Sequence, residues 1–110
     1  MNCSELAAAL NLKILACPAP EKEVTGAYIG DLLSWVMGRA KAGDAWITIM
    51  SNINVVAVAA LTEAAVIILA EGVEADEKLL AAADAKGINM FSSPLPAYEL
   101  ALSLGDVLSL

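Results

Sequence analysis

The chain has 110 residues, 59% of them hydrophobic and 17% charged, which is the composition of an ordered globular protein and fits one domain over 1–110. Thirteen carboxylates against six Lys and Arg give a net charge of −7, a field that repels phosphate backbones and argues against direct nucleic-acid binding. There is no His, which removes the commonest general base, the commonest zinc ligand and the usual near-neutral pH switch.

The start, Met1–Glu5, lacks the basic and apolar regions of a signal peptide, so a cytoplasmic location is expected. Ser4–Leu10 reads as a helix with Leu6 and Leu10 on one face. Lys13–Cys17 reads as a short strand, and Pro18 and Pro20 break regular structure after it. Cys3 and Cys17 form neither a CxxC pair nor a metal-ligand spacing, which favours partly buried reduced thiols over a disulfide or redox pair.

Val24–Ile29 reads as a second strand, where Gly26 suggests a bulge or a close backbone approach. Asp31 and Ser34 are expected to cap the following helix, whose stripe is Leu33, Val36, Met37 and Ala40. Arg39 and Lys41 suit its last turn, and Gly43 suits its end. Ala45–Ile49 is the third strand. Asn52 and Asn54 are expected to cap the next helix, Ile53–Leu61, which is apolar all round and so should be buried on nearly every side. Ala64–Leu69 is an unbroken apolar run suited to a central parallel strand. Thr62 and Glu63 interrupt the apolar stretch 53–70, so two elements meeting at a polar turn explain it better than a membrane span.

After a turn at Glu71–Gly72, Asp76–Lys86 is an amphipathic helix with Leu79, Leu80 and Ala83 facing inward. Gly87–Ile88 closes it in a Schellman ending. The acids Glu71, Glu74, Asp76 and Glu77 fit a helix start better than a metal site. Asn89–Ser92 is the last strand. Ala97, Leu100, Ala101 and Leu104 share a face of a final helix that Gly105 is expected to end or weaken.

Alternating strands and helices predict an α/β fold with three layers: a mainly parallel sheet of four to five strands flanked by helices. Ligands on such sheets favour the carboxyl edge. Gly30, Asp31, Ser34, Thr48, Ser51, Asn52, Asn54 and Ser92 are therefore the candidate binding residues, for a small anionic or nucleotide ligand held beside helix N-termini. There is no phosphate-binding loop, no GxGxxG fingerprint and no activated serine, so no catalytic residue, metal or cofactor is expected. Trp46 reads as core. Trp35 lies off its helix's stripe and reads equally as core or as a dimer contact. The high apolar content and the 53–61 helix point to a homodimer, although a deep core would account for that helix as well.

The segments Val24–Met37 (VTGAYIGDLLSWVM), Gly43–Thr48 (GDAWIT), Asn54–Ala59 (NVVAVA) and Ala97–Ala101 (AYELA) resemble DRTGG-domain proteins, over essentially the whole chain. Glu21–Lys22 stands where that family's Asp-Arg is expected, with the charge signs kept. Thr25, Gly26 and Gly30 match the rest. The domain is similar to the N-terminal domain of HPr kinase/phosphorylase and also occurs in phosphotransacetylases and CBS-domain pyrophosphatases, attached to separate catalytic domains. The resemblance implies a noncatalytic regulatory or ligand-sensing module acting through a small ligand or a partner protein. Relatives tend to carry His where this chain has Asn52, so any ligand held at that position would be bound differently here or not at all.

Overall fold

The computed structural model describes Met1–Leu110. Its elements run α1 (Cys3–Ala9), β1 (Lys13–Ala16), β2 (Gly26–Ile29), α2 (Leu33–Arg39), β3 (Asp44–Thr48), α3 (Asn54–Thr62), β4 (Val66–Leu69), α4 (Glu77–Ala85), β5 (Met90–Ser92) and α5 (Ala97–Leu108). The five strands form one sheet in the order β1-β5-β4-β3-β2. Strands β2 to β5 are parallel neighbours in sequence order. One helix makes each crossover, and crossovers of the same hand carry all three helices to the same face. There Val36, Val56, Ala59 and Leu79 pack against Trp46, Ile67, Leu69 and Met90. On the opposite face Leu6 of α1 and Leu100 and Leu104 of α5 meet Ile47, Ile68 and Phe91. The expected three-layer α/β fold is thus present. All four residues of β4 are buried, as befits an aliphatic run covered on both sides.

The one exception to the parallel pattern is β1, which pairs antiparallel with β5 (Lys13↔Ser92, Ile14↔Phe91). A four-residue strand has the same side-chain alternation whichever way its ladder points, so its pattern does not encode direction. The apolar stretch 53–70 divides as expected, with Glu63 in the left-handed region (φ 58) between α3 and β4. Helix α3 nevertheless departs from the expectation of all-round burial. Val55, Val56, Val58 and Ala59 are buried, but Ile53 is 55% and Leu61 68% exposed. Helix α3 lies in the outer layer, and the chain supplies no element to cover it. In α2 only Val36 is fully buried, while Met37, expected on its inward stripe, is largely exposed.

The helix ends are chemically explicit. Asn2 and Glu5 form a reciprocal capping box, so α1 begins one residue earlier than expected. Asp76 accepts from the Leu79 amide at 2.8 Å and caps α4. The Ile88 and Gly87 amides donate to the Ala83 and Asp84 carbonyls, the expected Schellman ending. Gly105 does not end α5, which continues to Leu108 and closes at left-handed Ser109.

Two glycines are set by space. Gly26 is a close approach and not a bulge: a Cβ there would lie 2.7 Å from Asp44 Oδ1, while the β2–β3 register runs on unbroken. Gly43 does not close α2. It turns the chain into β3 at φ +85, where a Cβ would collide with Thr25 Oγ1. Gly43→Ala is expected to cost about 2 kcal/mol, read from urea unfolding, because the left-handed backbone and the collision act together.

Asn89 is a fully buried polar side chain. Its Oδ1 accepts from the Ala19 amide at 3.0 Å, and its Nδ2 donates to the carbonyls of Ala19 at 2.7 Å and Ala65 at 3.1 Å. It fastens the proline-flanked loop to the start of β4. Cys3 Sγ donates to the same Ala65 carbonyl.

Candidate carboxyl-edge site

The carboxyl ends of the four parallel strands bring Gly30–Asp31, Thr48–Ser51, Ala70–Gly72 and Ser92–Ser93 to one edge. The crossovers between these strands never reverse direction, so the edge lacks the crevice that a change of strand order opens in doubly wound sheets. Strand β4 separates β5 from β3. The predicted residues therefore divide into two groups, Ser92 on one side and the rest at the β2–β3 end.

At the β2–β3 end the polar groups are engaged with one another. Asp31 does not cap α2; the residue preceding that helix is Leu32, and the helix start has no side-chain cap. Asp31 Oδ1 instead accepts from Thr48 Oγ1 at 2.8 Å and from the Ile49 amide at 2.9 Å. Thr48 Oγ1 accepts from the Met50 amide at 3.1 Å. These bonds tie the exits of β2 and β3 together. Gly30 accepts from Trp46 Nε1 at 2.9 Å, and its bare Cα leaves room for the Tyr28 ring. Ser34 likewise provides no cap and is exposed on α2. Asn52 Oδ1 accepts from the Asn54 amide at 2.9 Å in a local turn before α3, but the cap position is Ile53 and, contrary to expectation, the helix start has no side-chain cap. Asn54 is the first residue of that helix and not its cap. Ser51 is half-buried beside them. Asp31→Ala is expected to cost about 1–2 kcal/mol, measured by denaturant titration, because two charge-assisted hydrogen bonds are lost at a partly exposed site.

Ser92 lies across the sheet and lines a cleft of about 570 Å³ with Asn11, Lys13, Leu15, Gly72, Glu74 and Ser93. That volume falls within the range of small-molecule pockets. The cleft sits where antiparallel β1 joins the parallel strands. Its floor is firm: the Glu71 and Gly72 amides donate to the carbonyls of Leu95 and Ser93 at 2.9 Å, and Ser93 Oγ accepts from the Leu95 amide. The sequence reading misses Lys13. A parallel β1 would carry it to the opposite edge, whereas the antiparallel strand sets it directly across from Ser92. Lys13 has no carboxylate within ion-pair reach, the single ion pair of the chain being the Met1 amino group with Glu23 at 3.1 Å.

Elsewhere the chemistry is quiet. Both cysteines are free thiols. Burial pushes the Cys3 thiol up, and burial followed by the nearby Glu21 charge does the same for Cys17, so neither is primed as a nucleophile. No three Cys, Asp or Glu side chains converge. Every buried side-chain polar atom has a partner. No helix is long and apolar enough to cross a membrane.

No protein-family model and no curated protein sequence matches the chain. A solved structure does: the CBS and DRTGG domains of the regulatory region of Clostridium perfringens pyrophosphatase, complexed with activator, diadenosine tetraphosphate. The TM-score is 0.73 at 11% identity over 94% of this chain. The chain spans 45% of that chain's length. At this identity the likeness is one of fold.

Proposed function

We propose that the chain is a noncatalytic regulatory module that senses a small anionic or nucleotide ligand and works as a homodimer, in the manner of accessory DRTGG domains. The observation carrying this reading is the likeness in fold, across nearly the whole chain, to a regulatory region that binds a nucleotide activator. The site adds support of its own. Among the candidate residues, Asp31 and Thr48 spend their polar atoms on each other, whereas Lys13 and Ser92 face an open cleft. We place the ligand in that cleft, with Lys13 as the cation for a phosphate and the firm Gly72–Ser93 floor beneath it. A ligand acts on such a module by binding one arrangement better than another.

Thermal-shift measurements with mononucleotides, dinucleoside polyphosphates and small phosphorylated metabolites test the reading. A ligand present at about a hundred times its Kd contributes about 2.7 kcal/mol, which raises Tm by more than about 5 °C. Lys13→Ala is expected to abolish the shift without changing the Tm of the unliganded protein. A folded protein that responds to no compound overturns the ligand reading. The chain then becomes an interaction domain without a ligand, a reading favoured by the exposed apolar residues of α3.

A further inference from the structure

Helix α3 has two apolar faces and one core to fill. Val55, Val56, Val58 and Ala59 face the sheet. Ile53, Ala57, Ala60 and Leu61 occupy the opposite side and are exposed. Their spacing of four, three and one residues forms a continuous stripe along the helix. The stripe opens onto a groove of about 680 Å³ against Ala82 and Lys86 of α4. The large side chains stand at its ends, with Ile53 55% and Leu61 68% exposed, and alanines fill the middle. Apolar surface of this kind on an outer layer marks a contact site.

From this geometry we infer that the stripe is the surface through which two copies of the chain meet, with the two α3 helices antiparallel across a two-fold axis near Ala57. The inference rests on the dimeric part of the proposed function and is independent of its ligand. Two observations select this occupant and this orientation. First, the stripe is self-complementary: Ile53 and Leu61 are equidistant from Ala57 in sequence, so an antiparallel copy sets each large side chain against the other. The small alanines let the helices approach closely at the axis, which is the isologous pattern of a two-fold contact.

Second, the flanking charges favour this orientation. Helices α2, α3 and α4 all run against their strands, so their C-termini share the amino edge of the sheet and their N-termini the carboxyl edge. An antiparallel copy sets α4 over the partner's α4, so that exposed Asp84 and Lys86 at its end meet exposed Asp76, Glu77 and Lys78 at the partner's start, with an opposite charge available to each. A parallel copy would set α4 over α2. Lys86 would then face Arg39 and Lys41, and Asp76 and Glu77 would face Asp31, like charge on like at both ends. The antiparallel pairing also opposes the helix dipoles favourably. A stable interface needs roughly 800 Å² per partner, about one-seventh of this chain's 5667 Å² surface, so α2 and α4 must take part beside α3.

Sedimentation and native mass measurements test the inference. The wild type is expected to be a dimer at high micromolar concentration. Ala57→Glu is expected to give a folded monomer, because the side chain is exposed in the single chain and two carboxylates would meet at the axis; a rise of about tenfold or more in the dimer dissociation constant is the expected signal. Lys86→Glu and Glu77→Lys are each expected to weaken the dimer, and the double variant to recover it. Ala57→Cys is expected to give a 57–57 cross-link on mild oxidation. A dimer that Ala57→Glu leaves intact overturns this surface while dimerisation itself stands. A wild type that stays monomeric overturns both and leaves the stripe to a different protein. Neither result bears on the ligand, which the thermal shifts decide.

Discussion

Trp46→Ala is expected to be the most destabilising of the substitutions considered, at about 4 kcal/mol, within the range found when a large buried aromatic is truncated. Trp46 is fully buried on β3, the strand next to the centre of the sheet, among Val36, Val56, Ile67 and Leu69. Its Nε1–H also donates to the Gly30 carbonyl, linking the core to the exit of β2. Alanine removes both the packing and the link, and the strands on either side leave little freedom for collapse into the cavity. For a protein of this size the loss lowers Tm by more than about 10 °C. Trp35 supplies the control: it is 54% exposed beneath the Arg39 guanidinium, and Trp35→Ala is expected to change stability by less than about 1 kcal/mol. Urea unfolding of both variants checks the pair. Equal effects would contradict the burial of Trp46.

Asn89→Ala is expected to cost about 3 kcal/mol. The side chain makes three hydrogen bonds in the interior, and alanine leaves the Ala19 amide without a partner and takes one of two donors from each of the Ala19 and Ala65 carbonyls. Asn89→Asp tests the cause. A carboxylate has the same shape but cannot donate to either carbonyl, and at neutral pH it buries a charge, so it is expected to be at least as damaging as alanine. Circular dichroism during denaturation measures both. If Asn89→Asp matched the wild type, the amide's donor role would be wrong.

These two residues also show how far the sequence is legible. Trp46 sits in a strand pattern and reads as core directly. Asn89 is a single polar residue beside a turn, and nothing in its neighbours distinguishes a solvated side chain from a buried one whose partners lie about 70 and 24 residues away. The layers, the central β4 and both ends of α4 are written in local chemistry: apolar runs, an Asp cap, a Gly–Ile stop. The direction of β1 is not, and that alone hid Lys13 from the candidate site. Asp31 shows the same limit. An Asp before a helix resembles a cap, but the amide of Ile49 and the hydroxyl of Thr48 compete for it, and those partners become visible only once β2 and β3 are side by side. The burial of α3 failed for another reason. A helix apolar on every side has no periodicity from which to choose its inner face.

The antiparallel edge strand has a consequence in time as well as in space. Strands β2 to β5 follow one another along the chain, so each can join the sheet as it is made, through short-range crossovers. Strand β1 is made before them all, yet its only partner in the sheet is β5, with Lys13 opposite Ser92. During synthesis the first strand must wait, unpaired, for the last. The cleft holding Lys13 closes in that same final step, so an incompletely folded chain has no such cleft to offer a ligand.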